Sequence, residues 1–163
     1  MSLNLSKVIA DALQGRSPAV RDCTDNGTIP IPPEEFLSRD VWPLLLQVRQ
    51  ALEDKGFLAA TISPVEEDES KTHALLFMDW SAGLNDQDAG CLRFMITEGA
   101  LCAAIKHPWG DSQVIRLEPA GNIVPVMNVI EDFLHHCLAP VGLRRGLLQR
   151  SARRQTVALR RTA

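Results

Sequence analysis

The chain contains no tyrosine, no CxxC pair and no apolar run long enough to cross a bilayer, and each absence removes a class of function. Without tyrosine, a stacking platform for single-stranded nucleic acid loses one of its usual rings. Cys23, Cys91, Cys102 and Cys137 are scattered without a Cys/His spacing that suits zinc, which predicts four free thiols. No segment approaches the length of a membrane span. The opening "MSLNLSKVIADALQGR" lacks a basic start, an apolar centre and a small-residue cleavage site, so the expected location is cytoplasmic. GxxxxGK[ST], GxGxxG and GxSxG are all missing, leaving phosphate cradles and a nucleophile elbow without support.

What is present fits one folded domain with appendages. Of 163 residues, 45% are hydrophobic and 23% charged, close to the globular average. The net charge of -3 conceals a split. Residues 1–143 hold 10 Lys and Arg against 20 Asp and Glu, a balance of -10. The last twenty hold Arg144, Arg145, Arg150, Arg153, Arg154, Arg160 and Arg161 with no acid. Such opposite blocks point to an intramolecular clasp or to a tail for an anionic partner.

Periodicity predicts an α+β fold in three parts: a helical arm over 1–15, a domain over 34–140 and a basic tail over 141–163. Leu5, Val8, Ile9, Ala12 and Leu13 recur at helical spacing before Gly15, and the irregular stretch after them suggests an arm reaching a neighbour. Residues 34–38 read as a separate turn. Asp40 is the expected cap of a helix carrying Val41, Leu44, Leu45, Val48 and Leu52, with Pro43 in its first turn and Gly56 after its end.

The period then becomes two. "FLAATISPV", "KTHALLFMDW", "CLRFMIT", "ALCAAIKH" and "SQVIRLEP" predict an antiparallel meander of about five strands. A hairpin turn at Glu98 and Gly99 pairs Leu92 with Ile105, Phe94 with Ala103 and Ile96 with Leu101, placing all six side chains on one face. A slip of one residue would oppose Leu92 to Lys106, so the pattern selects the first register. Asn122 then caps a covering helix whose apolar face is Ile123, Val126, Met127, Ile130, Phe133, Leu134 and Cys137.

Few residues promise chemistry. "HHC" at 135–137 has metal-binding groups, but neighbours on a helix diverge, so Cys137 is expected in the core and the histidines at the surface. No metal or cofactor is predicted, and zinc or a chelator should leave the melting temperature unchanged. The loop "AIKHPWGD" makes Asp79, Lys106, His107, Trp109 and Asp111 the candidate pocket. A metal-dependent nuclease would need a carboxylate two residues before Lys106, where Ala104 stands. Gly142 and Gly146 weaken any helix at the root of the tail, which predicts a frayed polyanion handle.

The expectation is therefore a non-catalytic interaction protein. Its partner would be another protein with an acidic surface, or nucleic acid bound through the tail, with a homodimer among the forms allowed. A nucleic-acid accessory protein and an enzyme using the 104–111 loop are the alternatives.

Overall fold

The computed structural model describes residues 3–19, 21–23, 27–62, 73–78, 90–108 and 110–161. The α+β expectation holds: helices come first, then a five-stranded antiparallel meander, then one long helix. The strands are β1 (Leu58–Ile62), β2 (His73–Met78), β3 (Gly90–Thr97), β4 (Ala100–Lys106) and β5 (Ser112–Leu117). They lie side by side in chain order.

The pairing of β3 with β4 follows the predicted register, Leu92 with Ile105, Phe94 with Ala103 and Ile96 with Leu101. Glu98 and Gly99 both have positive φ, 51° and 73°, the backbone of a tight turn matched to strand twist. Alternation sends Leu75, Leu92, Phe94, Leu101, Ala103 and Ile105 into the core, each essentially inaccessible to water.

Helix α1 (Leu5–Leu13) is capped by Asn4, whose Oδ1 accepts from the Lys7 amide at 3.1 Å. Its buried stripe of Leu5, Val8, Ile9 and Ala12 packs mainly on the closing helix of the same chain. The predicted arm to a neighbour is thus an internal contact, because that closing helix supplies the apolar surface the stripe needs.

Asp40 caps nothing. α2 (Pro33–Phe36) runs through a π-helical turn (Leu37–Val41) into α3 (Trp42–Glu53) without leaving helical backbone angles. Pro43 supplies the reason: it lacks an amide and its ring crowds the carbonyl four residues back, so the ladder widens there and continues. Val41, Leu45, Val48 and Leu52 are buried as expected, and Leu44 and Trp42 are partly so.

Helix α4 (Ile123–Arg161) begins where Asn122 Oδ1 accepts from the Val124 amide at 3.0 Å. Its buried face includes Val126, Ile130, Phe133, Leu134 and Cys137. The helix does not stop near 140. It passes Pro140 and continues to Arg161, through a stretch rich in Leu, Arg, Gln and Ala, all good helix formers. A Cβ at Gly142 would overlap the Leu13 carbonyl oxygen, so this glycine lets α1 and α4 meet backbone to backbone.

The connection after α1 is strapped to α4 by polar groups. The Ala19 amide donates to Glu131 Oε1 at 3.0 Å, and the Arg21 guanidinium pairs with Glu131 Oε2. Asn128 accepts from the Arg21 amide at 3.3 Å and donates to its carbonyl at 3.0 Å. Side chains of a helix here satisfy the amides and a carbonyl of an irregular segment.

Candidate functional site

Among the described residues, helices cover one face of the sheet and none packs on the other. α3 lies on β1 and β2, and α4 reaches β3. The opposite face is formed by the alternate positions. Leu58 and Ala60 stand on β1, Leu76 on β2, Cys91, Arg93 and Met95 on β3, Cys102, Ala104 and Lys106 on β4, and Ser112, Val114 and Arg116 on β5. Val114 is 68% exposed and Leu58 42% exposed, large values for apolar side chains.

A cleft of about 210 Å³ opens on this face, lined by Cys91, Arg93, Ala104, Lys106, Ser112 and Val114. Burial raises the Cys91 thiol above its ordinary range, while Arg93 and Lys106 pull it back toward the thiolate. Among the described residues no aromatic side chain stands at an outer-face strand position, and neither does any Asp or Glu. Three of the cations in residues 1–143, Arg93, Lys106 and Arg116, stand there and none of the described acids does. Arg116 forms an ion pair with Glu118, just past the end of β5.

The 104–111 loop does not gather the predicted pocket. Lys106 is on the outer face, paired in register with Cys91 and Ser112. His107, the next residue, turns the other way and lies over α4, its ring centroid 6.4 Å from Phe133 and 4.5 Å from His136. A strand reverses its side chains at each step, which is why adjacent loop residues part. Asp111 is exposed. Asp79 and Trp109 lie outside the described residues.

Of the "HHC" residues, Cys137 is fully buried with its thiol raised by burial, and a Cβ on Gly90 would come within 2.8 Å of its sulfur. His135 is buried and its Nδ1 has no hydrogen-bond partner among the described residues. His136 is exposed, with Nδ1 donating to the Asp132 carbonyl at 2.9 Å and 3.5 Å from Asp132 Oδ2. The spacing argument considered 135–137 alone. It missed Asp132, four residues earlier on the same side of α4, and it had no means of bringing His107 across from β4. Burial, then repulsion from His136, holds the His107 imidazole below its usual range, with Asp132 opposing.

Arg144 is exposed on α4. Arg145, Arg150, Arg153, Arg154, Arg160 and Arg161 have helical backbone, and their side chains lie outside the described residues. No helix among the described residues is long and apolar enough to cross a membrane. Comparison with known protein families, curated proteins and solved structures gives no match.

Proposed function

We propose that the protein is a non-catalytic interaction module whose open sheet face binds an apolar polypeptide segment flanked by carboxylates. The observation that carries this reading is the composition of that face: exposed Leu58 and Val114, cations at Arg93, Lys106 and Arg116, the last paired with Glu118, and no acid among the described outer-face positions in a body of net -10. An exposed apolar surface rimmed by one sign of charge marks a docking site, and the charge selects the partner. A second copy docked face to face would oppose cations to cations, so a different, acidic chain is the better occupant. Nucleic acid is less well matched, because no described residue of the face offers a ring on which a base could stack.

The seven C-terminal arginines extend the same preference. Carried on the last turns of α4, they raise the rate of encounter with an acidic partner, and more so at low salt.

Thiol footprinting tests the reading. Cys91 lines the outer cleft and Cys23 is exposed beside α4, so Cys23 serves as an internal reference. In the complex as it exists in its native cell, alkylation of Cys91 should slow relative to the purified protein while Cys23 is unchanged. Val114→Asp should restore the Cys91 rate. Equal Cys91 rates in both settings would defeat the proposal, and protection removed by nuclease would favour nucleic acid instead.

A further inference from the structure

Asp132 and His136 stand one helical turn apart on α4, so their side chains leave the same side of the helix. His107 comes to them from the end of β4, held in a turn that the Gly110 amide closes onto the His107 carbonyl at 3.4 Å. One donor atom from each of the three lies within 4.8 Å of the others. Ligands sharing a tetrahedral ion at bond lengths of about 2.0–2.2 Å lie roughly 3.4 Å apart, so small side-chain rotations suffice to close the set.

A second observation is independent of spacing. His107 Nδ1 is removed from water and has no hydrogen-bond partner among the described residues. Buried polar atoms are normally satisfied, and one that is not asks for a ligand. His136, held against the helix by its contacts with Asp132, presents its ring to that of His107 at 4.5 Å and 35°.

We propose that His107, Asp132 and His136 bind one divalent transition-metal ion of the zinc class through two imidazole nitrogens and one carboxylate oxygen. Two nitrogen donors favour zinc, copper or nickel over magnesium and calcium, which take oxygen ligands. Three protein ligands leave a position for water or for a group from a partner. The ion would join the β4–β5 turn to α4, two elements that otherwise meet through His107 and Phe133.

The test is titration of the untagged full chain with Zn²⁺, and with Co²⁺ to obtain a ligand-field spectrum. One equivalent should bind, Zn²⁺ should raise the melting temperature, and Co²⁺ should give the visible bands of a nitrogen-oxygen site. His136→Ala and Asp132→Asn should each weaken binding by more than the roughly tenfold loss that an outer-shell change produces, while Glu53→Gln, an exposed carboxylate on α3, should not. His136 is exposed, so its replacement leaves the fold intact, as circular dichroism will verify. Absence of a bound equivalent in the wild-type chain, binding unchanged in both variants, or preference for Mg²⁺ over Zn²⁺ would each overturn the assignment.

Discussion

The two faces of one sheet differ sharply in exposure among the described residues. The inner residues Leu75, Leu92, Phe94, Leu101, Ala103 and Ile105 are at most 1% exposed, whereas Val114 on the outer face is 68% exposed. The same strands supply both sets, because side chains alternate along each strand. The inner face is closed by α3 and α4, which the chain provides for itself. The outer face carries exposed Val114 and Leu58 and the cations Arg93, Lys106 and Arg116, the last paired with Glu118. The difference separates the residues that make the core from those that the proposed partner would cover.

Substitutions should divide along that line. Phe94→Ala, at the centre of the inner face, should cost roughly 3–5 kcal/mol in denaturant unfolding; a loss below about 1 kcal/mol would mean that the closed face is not the main core. The strap that holds the irregular segment to α4 comes next. Arg21→Ala leaves the buried Glu131 carboxylate without its cation, and the expected cost is roughly 3 kcal/mol. Gly142→Ala forces α1 and α4 apart against the Leu13 carbonyl and should cost about 1–3 kcal/mol, as overpacking does. Protection of α1 amides from hydrogen exchange should fall with it.

Outer-face changes should be nearly silent in stability. Val114→Asp should alter unfolding by less than about 0.5 kcal/mol while abolishing partner binding. A large loss of stability would show that this face is part of the core after all. Thiol chemistry sharpens the contrast in the isolated protein. Cys23 should react first and Cys91 more slowly, since burial raises its thiol. Cys137, fully buried, should react only on unfolding.

Local patterns were legible in the sequence where a single element carries its own signal. The register of β3 on β4 followed from six apolar residues and a two-residue hairpin turn at Glu98 and Gly99. The cap at Asn122 followed from its place before an apolar period. Features that depend on a second element were not legible. Asp40 looks like a cap until Pro43 is seen to be accommodated by a π-helical turn. Gly142 looks like a helix breaker until Leu13 is found against it. Asp132 joined no candidate set, because His107 stands 25 positions away in sequence and only the packing of the β4 end on α4 brings the two together. The outer face was invisible for a related reason: alternation shows that a strand has two sides, but not which side the helices will leave open.

The central claim is that the open face is where a partner docks, and a photo-crosslinking residue placed at position 114 tests it most directly. The same residue at position 54, exposed at the end of α3, is the control. In the native cell, position 114 should give one defined adduct with an apolar segment bordered by Asp or Glu. Position 54 should give none, and Arg93→Glu should abolish the adduct at 114. No adduct at 114, equal labelling at both positions, or an adduct consisting of two copies of this chain would contradict the account.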